Sequence, residues 1–235
     1  MKTIGLIGGM SAESSALYYR LINKEVQRRL GGHHNARSLM ATVDFGDIVP
    51  LQMSGEWDRL GEMLAQTAQQ LERGGADFLV LCANTMHKVA DRISRAVAIP
   101  LLHIVDPTAT AIQKAGHSRV GLLATRYTME QPFYADRMRA RFGIEVVIPS
   151  PESRQVVHEI IFEELVRGVL RQESRERYRE VMAELAEAGA ESIILGCTEL
   201  ELLLTAADSE LLLHPSTTLH AMAAVEMALD GESGS

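Results

Sequence analysis

The feature that most constrains the fold of this chain is an internal repeat. Residues 75–85 read Gly-Ala-Asp-Phe-Leu-Val-Leu-Cys-Ala-Asn-Thr, and residues 189–199 read Gly-Ala-Glu-Ser-Ile-Ile-Leu-Gly-Cys-Thr-Glu. Each copy is an apolar run of strand type that ends in small and polar residues and enters a helix. An ungapped alignment places Leu81 on Leu195 and Ala83 on Cys197. The repeat predicts two similar halves, whose strand ends face each other across a cleft.

Strand and helix patterns alternate along the rest of the chain, which predicts an α/β fold with mostly parallel sheets. Residues 118–125 echo residues 2–9, so a second cycle begins there. We predict a first domain formed by residues 1–103 and about 212–235, because the final helix can return to the first half. The second domain is predicted at about 104–211.

Local signals locate several elements. Ser11 is of N-cap type for a helix that runs to about Leu30. Helical spacing over Trp57–Arg73 ends at two glycines, a C-cap signal. The segment Asp47–Gly55, which contains Pro50, is predicted to be a loop, and 85–96 a helix. The tail 230–235 is predicted to be frayed.

Composition narrows the functional class. The 235 residues carry a net charge of −8, which disfavours nucleic acid as a partner. No apolar run approaches the roughly 18 residues of a membrane span, so no membrane partner is predicted. Two cysteines and an N-terminus without signal-peptide character indicate the reducing cytoplasm. His, Cys, Asp and Glu show no metal-ligand spacing, so no metal site is predicted.

The glycine-rich segment Gly5-Leu6-Ile7-Gly8-Gly9 follows the first strand pattern. It lacks the spacing of a dinucleotide site or a phosphate loop. Two interpretations remain open: a tight turn between strand and helix, or backbone N–H groups that hold an anion such as a carboxylate.

Polar residues stand at both repeated strand ends. We call Cys82-Ala83-Asn84-Thr85 the first corner and Gly196-Cys197-Thr198-Glu199 the second corner. Such side chains either cap helices or present amide and hydroxyl donors to a substrate carboxylate. The same donors would stabilise negative charge that develops beside that carboxylate.

Cys197 is the candidate reactive group. A free cysteine is often a small buried apolar residue, but open α/β sheets bind ligands at the carboxyl ends of their strands. A helix N-terminus there is expected to lower the thiol pKa and to favour a thiolate that acts as base or nucleophile. Cys82 lies one residue earlier in the repeat, so its side chain is expected to face the core. His87 and His103 are interpreted as helix-face or core histidines.

Both corners, together with residues 5–11, resemble the pyridoxal-phosphate-independent aspartate/glutamate racemase family. The segments 102–104, 125–129 and 160–165 agree with it as well, so the resemblance spans essentially the whole chain. It is greatest to the broad-specificity amino-acid racemase branch.

The resemblance implies a pseudo-symmetric two-domain fold, a homodimer and a small amino-acid substrate, with no cofactor or metal. Family members use two cysteines, one on each face of the substrate α-carbon, as acid and base. The resemblance makes Cys197 the catalytic acid/base. It implies substrate-binding roles for Met10, Ser11, Gln52, Asn84, Thr85, Thr128, Thr198 and Glu199.

The chain departs from the family pattern at Ala83, where the first catalytic cysteine is expected. Three explanations stay open. The enzyme racemises in one favoured direction, with water or a neighbouring hydroxyl returning the proton. It is a single-cysteine relative, as the family's arylmalonate decarboxylases are. Or the chain carries a deliberate substitution.

A second departure is the segment Ile48–Gln52, which lacks the arginine expected in aspartate-specific members. A preference for acidic side chains is therefore an open question. The competing class is a non-catalytic protein that binds an amino acid or dicarboxylate.

Overall fold

A computed structural model describes residues 1–230, and most of the tail predicted to be frayed lies outside them. The chain forms two compact units, Ile104–Leu219 and the remainder, Met1–His103 with the chain from His220 onward. We expected the return to the first unit near residue 212. It lies at His220, because the strand at 212–215 pairs within the second unit.

The first unit is built on a four-stranded parallel sheet in the order β2-β1-β3-β4. Its strands are β1 (Ile4–Gly8), β2 (Ser38–Thr42), β3 (Phe78–Leu81) and β4 (Leu101–Leu102).

The second unit repeats this design with the order β6-β5-β7-β8, again all parallel. Its strands are β5 (Arg119–Leu123), β6 (Glu145–Val147), β7 (Ser192–Leu195) and β8 (Leu212–Pro215). The predicted α/β class with parallel sheets is confirmed.

Helices connect successive strands, as parallel pairing requires. In the first half these are α1 (Ala12–Leu30), α2 (Phe45–Ser54), α3 (Trp57–Arg73) and α4 (Ala90–Arg95). From residue 104 onward they are α5 (Val105–Lys114), α6 (Arg126–Glu130), α7 (Pro132–Phe142), α8 (Pro151–Glu163), α9 (Gln172–Glu187), α10 (Leu200–Leu203) and α11 (Ser216–Leu229). Short 3₁₀ segments lie at Thr85–Val89, Leu165–Arg167 and Ala206–Asp208.

The predictions for α1 and α3 are confirmed, but the loop predicted at 47–55 is wrong. That segment belongs to α2, which Asp44 caps by accepting the Gly46 N–H at 2.8 Å. Gly55 ends the helix in the left-handed conformation. Pro50 lies inside the helix and removes one helix hydrogen bond, and the caps define the helix despite that loss. The helix predicted at 85–96 divides into a 3₁₀ segment and α4.

Strands β1 and β3 are buried along their whole length, because helices cover both faces of the sheet. Alternate residues therefore enter different layers. One layer joins Ile4, Leu6, Phe78, Val80 and Cys82 to Tyr18, Ile22 and Val26 of α1 and to Ala224 and Val225 of α11. The other joins Ile7, Leu79 and Leu81 to Ile48, Leu60, Leu64 and Ala68.

The register of the repeat is confirmed by backbone pairing. Ile7 pairs with Leu81 in the first sheet, and Leu123 pairs with Leu195 in the second. One residue further on, the Cys82 N–H donates to the Ile7 carbonyl at 3.0 Å, and the Gly196 N–H donates to the Leu123 carbonyl at 2.7 Å. Ala83 and Cys197 are therefore structurally equivalent.

The repeat also matches at the edge where β3 and β7 begin. Gly75 and Gly189 have φ values of 94° and 86°, a conformation that favours glycine. The carboxylate of Asp77 accepts the Thr3 N–H at 2.6 Å, and that of Glu191 accepts the Ser118 N–H at 2.6 Å. The repeated Gly-Ala-acid sequence thus ends one helix and fastens the start of the neighbouring strand in both units.

Across residues 1–230, no helix combines the length and the apolar character needed to cross a membrane.

Candidate active site

The first corner lies at the carboxyl end of β3. Asn84 and Thr85 are buried, and the 3₁₀ segment begins directly after Asn84. Ala83 occupies the position equivalent to Cys197 and carries no ionisable group. Cys82 is fully buried in the layer with Tyr18, and burial raises its thiol pKa. The prediction that Cys82 is a core residue is confirmed.

The turn after β1 lies beside the first corner, because β1 and β3 are paired. The Ser11 hydroxyl accepts the Ser14 N–H at 3.0 Å and caps α1. The Ser14 hydroxyl in turn donates to the Cys82 carbonyl at 2.8 Å. Ser11 has φ 153° and ψ 146°, a region that favours glycine, at a cost of about 1–3 kcal/mol. Strain of this kind concentrates at functional sites.

Met10 is buried against the apolar residues of its unit, next to the strained serine. The preceding amide is already used, because the Gly9 N–H donates to the Ser15 hydroxyl at 2.9 Å. A side chain at Gly9 would lie 2.0 Å from the Val43 carbonyl oxygen. These contacts favour the tight-turn interpretation of the glycine-rich segment.

Gln52 lies on α2, which follows β2 and therefore starts from the same edge of the first sheet. Its side chain is buried, within a segment whose neighbouring residues Leu51 and Met53 are apolar.

The His87 side chain is hydrogen-bonded to the backbone of the first corner. Its Nδ1 lies 2.7 Å from the Ala83 carbonyl oxygen, and that oxygen is the acceptor. The ring lies edge-on to His103 at 4.5 Å and to His220 at 5.8 Å. His220 donates from Nε2 to the Leu102 carbonyl at 2.9 Å, and its Nδ1 lies 2.8 Å from the Tyr18 hydroxyl. His87 therefore fastens the first corner to a buried aromatic cluster.

The second corner lies at the carboxyl end of β7 and is chemically different. Cys197 is 9% exposed, and its thiol donates to Oε2 of Glu199 at 3.1 Å. The Thr198 hydroxyl donates to the same oxygen at 2.5 Å. Thr198 and Glu199 are also buried. The thiol and the hydroxyl therefore donate to the same buried carboxylate oxygen.

The expectation of a lowered thiol pKa at Cys197 is wrong. Burial, followed by the negative charge of Glu199 and the hydrogen bond to it, raises the pKa of this thiol well above its ordinary value. The helix after the corner, α10, has only four residues, so its dipole is too short to offset those effects.

A second, partly buried carboxylate follows at Glu201, and it accepts hydrogen bonds from α11. It accepts the Thr217 N–H at 2.9 Å and the Thr218 hydroxyl at 2.6 Å. Burial raises the pKa of Glu201, and the hydrogen bonds from Thr218 and Thr217 oppose that rise. The Ser216 hydroxyl donates to the Leu195 carbonyl at 2.7 Å, so α11 is tied to β7 next to Cys197.

Thr128 follows β5, which pairs with β7. It is buried on α6, with its hydroxyl 3.4 Å from that of Thr125. This pair extends the polar edge of the second sheet.

The structure places most of the predicted site residues at the carboxyl edges of the two sheets. Met10, Ser11, Ala83, Asn84 and Thr85 lie at this edge of the first sheet, and Thr128, Cys197, Thr198 and Glu199 at that of the second. Gln52 lies in the last turn of α2. The sequence missed the bond from Cys197 to Glu199 and the role of Glu201. The signal available in the sequence was the pair of acidic residues Glu199 and Glu201, two positions apart, directly after a strand pattern. Within residues 1–230, no group of three or more His, Cys, Asp and Glu side chains is placed to hold a metal ion.

The chain is similar to a known protein family and to several known proteins. The family model described as Asp/Glu/hydantoin racemase matches residues 7–231. The broad specificity amino-acid racemase RacX of Bacillus subtilis (strain 168) is 25% identical over 98% of this chain and 100% of its own length.

Two solved structures cover 98% of this chain and 100% of their own chains. One is a Yersinia pestis protein provisionally described as an Asp/Glu racemase, with 46% identity and a TM-score of 0.91. The other is PH1733 of Pyrococcus horikoshii OT3, described as an aspartate racemase homologue, with 34% identity and a TM-score of 0.83. The resemblance found in the sequence is confirmed.

Proposed function

The chain belongs to the Asp/Glu/hydantoin racemase family, and we propose that it racemises aspartate, glutamate or a related amino acid with Cys197 as its proton-transferring group. Membership supports amino-acid racemase activity in general and a small-molecule substrate. The observation that carries the finer proposal is the hydrogen bond from the Cys197 thiol to the Glu199 carboxylate. It gives the second corner the acid–base pair that the first corner lacks.

In this proposal the Cys197 thiolate removes the proton from the substrate α-carbon. The C–H bond breaks, an S–H bond forms, and the electron pair passes into the adjacent carboxylate. Asn84, Thr85 and Thr198 bind that carboxylate and stabilise the added charge. The strained turn at Met10-Ser11 assists them, while Gln52 and Thr128 contact the rest of the substrate.

Inversion also requires a proton on the other face of the α-carbon. Ala83, the structural equivalent of Cys197, carries none. Water or a neighbouring hydroxyl supplies it in this proposal, so proton exchange is strongly unequal for the two enantiomers.

Ala83 also favours a second candidate, a reaction that needs only one protonation. Decarboxylation of a disubstituted malonate is such a reaction: the C–C bond to the leaving carboxylate breaks, carbon dioxide departs, and Cys197 gives one proton to the resulting carbanion. A protein that binds the amino acid without turnover is the remaining alternative.

These proposals separate in one experiment. Purified protein is incubated in D2O with aspartate, glutamate and a panel of other amino acids, and loss of the α-proton signal is followed by NMR. Cys197→Ser tests the base, and Cys82→Ser is the matched control, because that thiol lies in the core.

We expect exchange by the wild type and by Cys82→Ser, and almost none by a folded Cys197→Ser. Full exchange by Cys197→Ser would refute the assignment of the base. If the wild type exchanges no amino acid, the racemase proposal fails. A parallel assay for carbon dioxide from an arylmalonate, with equilibrium binding of the amino acids, then decides between the two alternatives.

A further inference from the structure

We propose that Glu199 is the proton acceptor of Cys197, rather than a residue that binds substrate. This inference rests on the proposed function and deepens it, because it explains how a buried thiol becomes a base. The pair exchanges one proton internally: the S–H bond of Cys197 breaks and an O–H bond forms on Oε2 of Glu199. The negative charge moves from carboxylate to sulfur, and the total charge of the pair does not change.

Cys197 Sγ lies 3.1 Å from Glu199 Oε2, within the distance of a sulfur hydrogen bond, so the proton moves along an existing bond. Both side chains are buried, so the proton moves between two poorly solvated groups.

A thiolate formed by loss of the proton to water would leave two adjacent negative charges in a buried site, at Cys197 and at Glu199. Repulsion between them and the lack of solvation oppose that state, which is why the pKa of the free thiol is raised. Transfer within the pair avoids the second charge, so the thiolate forms without loss of a proton to water.

The Thr198 hydroxyl donates to the same oxygen of Glu199 at 2.5 Å. When this hydroxyl turns to a substrate carboxylate, Oε2 loses that donor and has an acceptor site for the thiol proton. Binding of the substrate and formation of the base are thereby coupled.

Glu199→Gln tests the proposal, since glutamine keeps an acceptor oxygen but does not take the proton. Glu201→Gln is the matched control. It removes a second, partly buried carboxylate two residues away, which raises the pKa of Cys197 by its charge but accepts its hydrogen bonds from α11. Both variants are made in a Cys82→Ser background, so that thiol readouts report Cys197 alone.

For Glu199→Gln we expect α-proton exchange at pH 7 to fall by roughly 10²-fold, the lower range for an acid–base group. Its rate should then rise about tenfold per pH unit, because hydroxide must remove the thiol proton. The pKa of Cys197, followed by thiolate absorbance in the ultraviolet, should fall in this variant even though turnover is slower. Glu201→Gln should keep the flat profile of the wild type and an exchange rate within a few-fold of it.

The pH dependence of the wild-type rate also tests the proposal and needs no variant. An α-proton exchange rate that rises between pH 7 and 9 in parallel with ionisation of the thiol to water would overturn it. Glu199→Gln with a wild-type rate and a flat profile would overturn it as well. If Cys197→Ser loses exchange while Glu199→Gln keeps it, only the role of Glu199 fails. If Cys197→Ser keeps exchange, the proposed function itself fails.

Discussion

The two units agree at one edge of their sheets and differ at the other. Where β3 and β7 begin, Asp77 and Glu191 accept backbone N–H groups of the neighbouring segment at the same distance, 2.6 Å. Where the same strands end, Ala83 stands in the position of Cys197. The edge where the strands begin has the same chemistry in both units, and the edge where they end does not.

The surroundings of the two corners differ as well. The Ala83 carbonyl is held by His87, inside a cluster of aromatic rings. The Cys197 thiol is held by a carboxylate that shares its oxygen with a hydroxyl. In the proposed reaction, proton transfer at the α-carbon is therefore assigned to the second unit alone.

The largest effect is expected when a thiol is introduced into the first corner. Ala83→Cys should raise reversible racemisation by roughly 10²–10⁴-fold, the usual worth of one acid–base group, and should speed exchange of the poorer enantiomer most. Racemisation is followed by circular dichroism and exchange by NMR. Ala83→Ser is the matched control of similar size, because a hydroxyl is a far weaker acid.

A folded Ala83→Cys protein with both exchange rates unchanged would show that the equivalence of Ala83 and Cys197 has no functional meaning. Cys82, which is already present, should not replace the missing thiol, because it faces the core.

A smaller difference between the units concerns acid stability. Strand pairing makes Leu102 in β4 the equivalent of His214 in β8. Burial, followed by the charge of His117, lowers the pKa of His214 to about 4 from its usual 6.5. The folded state thus holds this ring neutral, so stability is complete above about pH 6.5 and is lost as the pH falls toward 4.

Protonation of His214 should lower the free energy of unfolding by about 3 kcal/mol as the pH falls from 6.5 to 4, at about 1.4 kcal/mol per pKa unit. Denaturant unfolding across this range measures it. His214→Gln should flatten the dependence by that amount, since glutamine does not titrate and can still bond the Ser192 hydroxyl. Equal slopes for the two proteins would contradict the assignment.

The smallest effect is expected at the edge that the units share. Asp77→Asn and Glu191→Gln should each lower the melting temperature slightly and by similar amounts, because each weakens the same kind of bond at an exposed site. Neither should alter α-proton exchange. A large loss of exchange in one variant but not in the other would show that this edge is not equivalent in the two units.

Much of this architecture follows from the sequence, since the repeat gave the register of Ala83 on Cys197. The helix α3 was also predictable, because its apolar spacing and two closing glycines agree. The sequence did not predict α5, whose valine, threonine and isoleucine residues are also common in strands. Its place is fixed by packing on α7 and by the ion pair of Asp106 with Arg137 at 2.6 Å.

The chemistry of the second corner was less predictable. Because Cys197 follows a strand, the sequence indicated a helix whose dipole would lower the pKa of the thiol. The helix that follows, α10, is only one turn long. The burial of the thiol and the direction of the Glu199 side chain decide its pKa, and both depend on tertiary packing. The sequence identified Cys197 as the candidate residue but predicted the wrong direction for its pKa shift.

In the proposed reaction one thiol, at one of two equivalent strand ends, moves the α-proton. The most direct test of this assignment compares initial α-proton exchange rates of the L and D forms of the best substrate in D2O, at equal saturation. We predict exchange that is faster by roughly 10²-fold for one enantiomer, the L form by analogy with the family, because only one thiol is placed for acid–base work. Equal rates for the two enantiomers would contradict the claim, since they would require a second proton-transferring group as effective as Cys197.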